Sequence, residues 1–350
     1  MIILGLNYGH DSGVTIIKNS KILFAVNEER LSRKKLHIGF PYKSVFEGLK
    51  KTNIKINQIN LIYIEGKSFS PMSENDLLKN NWKKFFSNIF GLDSFFLGTK
   101  IGIKIASYVL FFSTFFKKKK IKYFFTQKGF KGEFKFIDHH LAHASSAYYI
   151  QPNDEGLCIT MDASGEGYCS RVYKCKNNKM KLLHSIECYK SPGYYYAYIT
   201  QLLGFRPLRH EGKILGLAAH GNGEKVRNIL RRFIYFDKKK ITFINLGGHH
   251  DTLYNRLKKN LNSFKKKDIA AGIQIHLEDL VMNYISHIIK KFYDNKPTNL
   301  FLSGGVFANV KLNQLLAKYK YTKDIFVTPN MGDGGLNLGC ALIANKKKID

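Results

Sequence analysis

The chain opens with short apolar runs separated by polar turns. Ile2–Asn7, Val14–Lys18 and Lys21–Asn27 each read as a strand, with GHDSG and NS as the turns between them. The plan returns from residue 157. Leu157–Met161, Tyr168–Lys174 and Met180–Glu187 are expected strands, joined through DASGEG and KNNK. Each copy begins with an apolar strand ending in a glycine-containing turn that carries an aspartate, Asp11 or Asp162. The pattern predicts two related lobes facing one another across a cleft. Helical spacing follows the second copy. Tyr194–Leu203 is closed by Gly204, residues 224–236 are expected to form another helix, and Asp268–Tyr293 carries Ile269, Ile273, Leu277, Leu280 and Ile285 on one face. NLFLSGGVFAN and DIFVTPNMGDGGLNLGCALIAN each read as strand, glycine turn and helix start. Such a unit presents backbone amides to an anion.

Composition narrows the class. A length of 350 residues suits two ordinary domains or one large two-lobed unit. With 44% hydrophobic residues the chain builds a substantial core, which excludes general disorder. The five cysteines form no CxxC pair and are odd in number, so reduced thiols in the cytoplasm are expected. The start, MIILGLNYGHDSG, has no basic region ahead of an apolar stretch and reads as a strand rather than a signal peptide. The apolar segment 91–120 is interrupted by Lys100 and Lys104, leaving a run too short to span a bilayer. It reads as a buried or surface-lying helix, and Lys117–Lys120 make it a candidate for contact with an anionic membrane surface. The net charge of +30, from 56 basic and 26 acidic residues, favours polyanionic partners. The lysines are nevertheless scattered and no arginine-and-aromatic motif accompanies them, so specific nucleic-acid binding is not expected.

Several short motifs carry candidate chemistry. In DHHLAHASSAYY, residues 138–149, His139 and His143 stand four apart and project from one helix face, while His140 points elsewhere. Two such histidines are often a surface or core pair. Joined by carboxylates, here Asp162 and the Asp333 of GDGG, they suit Fe(II), Mn or Zn with open positions. Gly304 and Gly305 of LSGGV read as a phosphate or nucleotide loop, or as a plain tight turn, with Asn309 one turn into the following helix. His10, in NYGHDSG, is a candidate general base toward a hydroxyl, or a turn histidine beside a capping Asp11. In EERLSRKK, Lys35 is the charge aimed at a substrate. HEGKILGLAAHG offers Glu211 and Lys213 ahead of a Gly-Leu-Ala-Ala turn, and SPGYYYAY a helix start at Gly193 beside an aromatic wall.

Taken together, GHDSG, EERLSRKK, DHHLAHA, DASGEG, SPGYYY, HEGKILGLAAHG, LSGGVFAN and GDGGLNLG resemble, in order and spacing, the carbamoyltransferase family, which modifies hydroxyls of antibiotics, nodulation factors and similar metabolites. The resemblance runs from about residue 2 to 343. It implies an α/β fold of the two-lobed actin/sugar-kinase/Hsp70 type with a duplicated βββαβα plan. The first lobe would span about 1–150, with a helical insertion at 66–130, and the second about 151–350. It further implies an iron-like divalent metal held by His139, His143, Asp162 and Asp333 and touching the phosphate of carbamoyladenylate. Gly193, Gly304, Gly305 and Asn309 would line the adenylate together with Asp162, His10 would be catalytic, and Lys35 and Glu211 would face a small-molecule or glycan hydroxyl acceptor. Full-length members resemble a fusion whose second, YrdC-type domain makes carbamoyladenylate from ATP and carbamoyl phosphate. Such a domain would begin where this sequence stops, at Asp350, so three expectations stand: a separate YrdC-type protein supplies the intermediate, the sequence is truncated, or the chain has lost activity. Two other readings stand beside this one. They are an enzyme like the tRNA threonylcarbamoyl transferases, and a non-catalytic nucleotide-binding partner in a complex.

Overall fold

The computed structural model describes residues 1–66 and 115–349. Most of the expected 66–130 insertion, and of the 91–120 segment, lies outside them; residues 115–127 are helical.

Two five-stranded mixed sheets form the frame. The first takes the order β3-β2-β1-β4-β5, from β1 Ile2–Asn7, β2 Gly13–Lys18, β3 Lys21–Asn27, β4 Leu61–Glu65 and β5 Glu133–Ile137. The second contains β6 Gly156–Gly165, β7 Tyr168–Lys176, β8 Lys179–Glu187, β11 Thr298–Ser303 and β12 Thr322–Val327, in the order β12-β11-β6-β7-β8. In each, a hairpin meander supplies three antiparallel strands, and two later strands add in parallel beside the first. The repeat seen in the sequence is therefore a topological duplication. A further pair, β9 Ile234–Asp237 and β10 Thr242–Asn245, stands apart.

Besides the helical segment 115–127, the helices are α1 Glu29–Ser32, α2 Tyr42–Thr52, α3 His139–Tyr148, α4 Pro192–Leu202, α5 Glu211–Ala218, α6 Glu224–Leu230, α7 His250–Leu261, α8 Lys266–Tyr293, α9 Val310–Ala317 and α10 Leu336–Asn345. The helix expected over 224–236 ends at Leu230, and Ile234 opens β9. Val226, Leu230 and Ile234 are all fully buried at a spacing of four, so the apolar period continues across a break in the helix.

Period-two alternation places the two faces of the first sheet in different cores. Leu4, Leu6, Ile62 and Ile64 join Val45 of α2 together with Ile121 and Phe125. Ile3, Ile17 and Tyr63 face the other way, into a core with Ala144 and Tyr148 of α3, Cys340 and Ala341 of α10, and Cys158 and Phe301 of the second sheet. Helices α3 and α10 are thus packed between the sheets. The outer face of the second sheet is covered by the largest core, centred on α4 and α8. The last helix of the chain packs on β1, β2 and β4, so the C-terminal segment closes back onto the first sheet. Among the described residues no helix is long and apolar enough to cross a membrane.

Candidate metal centre

The six parallel strands β1, β4, β5, β6, β11 and β12 all deliver their carboxyl ends to one place, where open α/β sheets bind ligands. Asn7 ends β1, Glu65 ends β4, Asp162 lies near the end of β6, and Ser303 ends β11. His139 opens the helix after β5, and Asp333 sits in the turn between β12 and α10. Asp162 stands on the strand itself, which runs on to Gly165, rather than in a turn.

The four residues expected to share an ion come together. Their ligand atoms lie within 4.8 Å of one another, and no other such group occurs among the described residues. His143 Nε2 stands 3.4 Å from Asp162 Oδ2 and 3.5 Å from Asp333 Oδ1. His139 Nε2 is 4.0 and 3.8 Å from the same two oxygens. Neither Nε2 has a hydrogen-bond partner, although both imidazoles are buried. Two donors each about 2.1 Å from an ion stand roughly 3–3.5 Å apart, so the spacing is close to that of a bound ion. Orphaned buried nitrogens facing two carboxylates, with His and Asp as donors, fit a divalent transition metal.

The other nitrogen of each ring is held from a different lobe. His139 Nδ1 is 3.0 Å from Glu65 Oε1, and His143 Nδ1 is 3.0 Å from Ser303 Oγ. These contacts fix both rings with Nε2 turned inward, as outer partners of metal-bound histidines do. Gly165 gives the His139 ring its room, because a Cβ there would overlap the ring carbons. The charge balance follows the geometry. Burial works against protonating His139, yet the hydrogen bond to Glu65 and the charges of Asp333 and Asp162 carry its pKa up to about 10. His143 is raised too, against the same burial, by Asp162 and Asp333. Burial would raise the Asp333 carboxyl, but His143 and His139 hold it well below the usual range. His140 differs in kind. Burial pushes it well below its ordinary pKa, and its ring binds Thr160 Oγ1 and the Tyr168 carbonyl of the second sheet.

His10 borders the cluster. Its Nδ1 is 3.2 Å from Asp11 Oδ2 and 4.0 Å from Asp333 Oδ2. Burial lowers its pKa, the two carboxylates outweigh burial, and Arg209 opposes them. Asn7, fully buried, donates to the carbonyls of His10, Asp11 and Asp333, tying the first turn of the chain to the turn before α10.

The remaining expected residues are placed as follows. Gly305 N donates to Asp162 Oδ2 at 3.2 Å, beside the cluster. Gly304 has φ +104°, and a Cβ there would run into the Met161 backbone, so the protein's own chain demands glycine. Asn309 caps α9 instead of lying one turn inside it. Its Oδ1 accepts from Leu312 N, and its amide pairs with Gln274 of α8. Gly193 lies in the first turn of α4 against Ala163 of β6. Glu211 Oε1 accepts from Leu208 N at 2.6 Å, so this carboxylate braces its own loop. Lys35 is exposed just after α1, and its charge is among those that lower the pKa of His210, after desolvation and the charges of Lys213, Arg206 and Arg209. Glu65, Ser303, Asn7 and Arg209 were not singled out by the sequence. For the first three the one signal was a polar residue ending an apolar strand, which gains meaning only once strand order is known; Arg209, in the turn before α5, carried none.

Comparison with known proteins bears on the family and the fold. The family model described as the carbamoyltransferase N-terminus matches residues 2–342. The chain belongs to this family. It is 30% identical over 356 residues to an uncharacterized protein of Methanocaldococcus jannaschii, covering 100% of this chain and 58% of that one. It is 24% identical over 350 residues to the nodulation protein NolNO of Sinorhizobium fredii, covering 97% and 46%. The chain therefore spans about half the length of these curated relatives. Among solved structures, the activator of the 2-hydroxyisocaproyl-CoA dehydratase from Clostridium difficile, with bound ADPNP, aligns at a TM-score of 0.50 and 16% identity, over 98% of this chain and 94% of that one. Component A of the Acidaminococcus fermentans (R)-2-hydroxyglutaryl-CoA dehydratase aligns at 0.50 and 14%, over 98% and 97%. The chain thus has the two-lobed actin/Hsp70-like fold.

Proposed function

We propose that this chain transfers a carbamoyl group from carbamoyladenylate to the hydroxyl of a small-molecule or glycan acceptor, releasing AMP. The supporting observation is the meeting of His139, His143, Asp162 and Asp333 with His10 at its edge. These four residues would hold a divalent cation, iron among the candidates. When bound, it would neutralise charge that grows on the donor phosphate as AMP departs.

The protein's own groups account for the proton. With Nδ1–H directed at Asp11, the Nε2 of neutral His10 carries the free lone pair. The acceptor oxygen attacks the carbamoyl carbon, the bond from that carbon to the phosphate oxygen breaks, and the hydroxyl proton passes to His10. Asn7 holds the His10 and Asp333 turns in one register. Gly305 N and the glycine turn line the approach beside Asp162, where the phosphate and adenosine would lie. A YrdC-type activity would supply the donor.

The test is to incubate the purified chain with synthesised carbamoyladenylate and candidate hydroxyl acceptors, and in parallel with a YrdC-type protein, ATP and carbamoyl phosphate. His10→Asn is expected to abolish transfer while AMP binding persists. Transfer that survives this substitution removes His10 from its role.

A further inference from the structure

Two elements of the first lobe keep aromatic rings in solvent. They are α2 and the helical segment 115–127, and the Phe124 ring joins them, 5.5 Å from that of Tyr42 and 6.2 Å from that of Phe46. Lys128 Nζ stands 5.2 Å over the Phe46 ring and 5.5 Å over that of Phe124. Segment 115–127 is held by one face. Ile121 and Phe125 are buried in the core with α2, and Lys118 Nζ lies 4.8 Å over the Phe136 ring of β5. The opposite face carries Phe116, Lys120 and Tyr123 at helical spacing, with Phe116 68% and Tyr123 64% exposed. Among the described residues the exposed aromatic rings are those of Tyr42, Phe46, Phe115, Phe116, Tyr123 and Tyr235, and only the last lies elsewhere. Singly exposed apolar residues are ordinary, whereas a group gathered on two adjoining elements marks an interaction surface.

The charge of these elements has one sign. Residues 42–52 and 115–128 hold nine lysines, no arginine and one carboxylate, Glu47, which pairs with Lys51 at 3.9 Å. Lys119, Lys120 and Lys122 are exposed around Phe116 and Tyr123. Phenylalanine and tyrosine rings set among lysines match a bilayer interface. The rings sit at headgroup level there, and the ammonium groups reach lipid phosphates from flexible apolar stems. Nucleic-acid surfaces commonly add arginine to their stacking rings, and these elements have none.

We propose that α2 and segment 115–127 form a docking face for the surface of an anionic membrane, with Phe116 and Tyr123 among the headgroups and the surrounding lysines on their phosphates. The assignment does not depend on the transfer reaction proposed above.

The probe is vesicles of phosphatidylcholine mixed with phosphatidylglycerol, added to the full chain in a flotation assay beside vesicles of phosphatidylcholine alone. The anionic vesicles are expected to bind the chain at least about ten-fold more tightly. Lys119→Gln/Lys120→Gln/Lys122→Gln should weaken that binding at least about ten-fold, because each lysine near such a surface contributes roughly a factor of five. Phe116→Ser/Tyr123→Ser should weaken it by about ten-fold through lost apolar contact. These side chains are exposed, so an unchanged thermal midpoint reports that the variants fold. The control removes three exposed lysines of the second lobe, Lys238→Gln/Lys239→Gln/Lys240→Gln, and should change binding less than about two-fold. Equal losses from the two lysine triples would show attraction by net charge alone and overturn the proposal. So would equal binding to both kinds of vesicle, or a face that binds an RNA homopolymer through Phe116 and Tyr123 and leaves vesicles alone. A polarity-sensitive dye on Phe116→Cys reads the contact directly, since the five native cysteines are buried. Its emission should move to the blue with anionic vesicles, while that of the same dye on Lys239→Cys should not. No shift at 116, or the same shift at both positions, overturns the assignment of this face.

Discussion

In the first lobe the parallel strand beside β1, β4, ends on Glu65. In the second lobe its counterpart beside β6, β11, ends on Ser303. These matched positions do the same job for two histidines of a single helix. Glu65 holds His139 and Ser303 holds His143, each at 3.0 Å through Nδ1. The duplication thus supplies two orienting groups by one rule of strand position, and the chemistry has diverged, with a carboxylate on one side and a hydroxyl on the other. The same divergence separates β1 from β6. One presents Asn7, which organises turns, and the other Asp162, which faces the imidazoles. Helix α10, the counterpart of α3, brings Asp333 to the ring from the far side. Architecture is repeated between the lobes while the donor set is pooled.

Removing a donor should produce the largest effect. His143→Ala leaves two carboxylates and one imidazole, and metal retained after desalting should fall by more than 100-fold relative to wild type, read by elemental analysis. The comparison between strand ends is sharpened next. Changing an outer partner of a bound histidine typically costs 10–100-fold in metal affinity. Glu65→Gln, which removes a charge, should fall near the upper end of that range and Ser303→Ala near the lower, in competition titrations with a chelator. Equal losses, or a larger one for Ser303→Ala, would break the stated difference between the lobes.

Protons should compete with the ion. His139 binds its proton up to about pH 10, and its metal-binding form is the deprotonated one. Apparent metal affinity at a fixed total concentration should therefore climb as pH rises from 6 toward 9, by up to about ten-fold per unit for each proton released. A flat profile would show that the imidazoles are not the ligands. A smaller effect lies in the second lobe. His276 of α8 is buried and donates through Nε2 to the Ile234 carbonyl, and desolvation lowers its pKa to about 4. Its folded pKa is below its unfolded one, so the unfolded chain takes up the extra proton. Stability from this residue is full above pH 6.5 and declines as pH falls toward 4, by at most about 3 kcal/mol. In urea titrations His276→Gln should flatten that slope, which checks the contribution of this residue.

Part of this was legible before any coordinates. The two meanders, the α3 histidines at a spacing of four and the Asp-bearing strand end at 162 are local patterns, and local patterns survive in one dimension. The partners of those histidines were not legible. Glu65 and His139 are joined because β4 pairs with β5, and Ser303 reaches His143 because β11 pairs with β6; register and strand order are long-range facts. Asn309 was misplaced because a cap and an interior position differ by a few residues in a sequence of mixed polarity. Residues 231–236 were misread because the apolar spacing of α6 carries on into β9.

The most direct measurement is X-ray absorption on the Fe(II)-reconstituted full chain, with metal content per chain determined on the same sample. The account predicts one ion per chain with two nitrogen ligands at imidazole distance, lost together in Asp162→Asn/Asp333→Asn. An ion that remains at full occupancy with unchanged imidazole scattering in that double variant would contradict the sharing of one cation between the lobes.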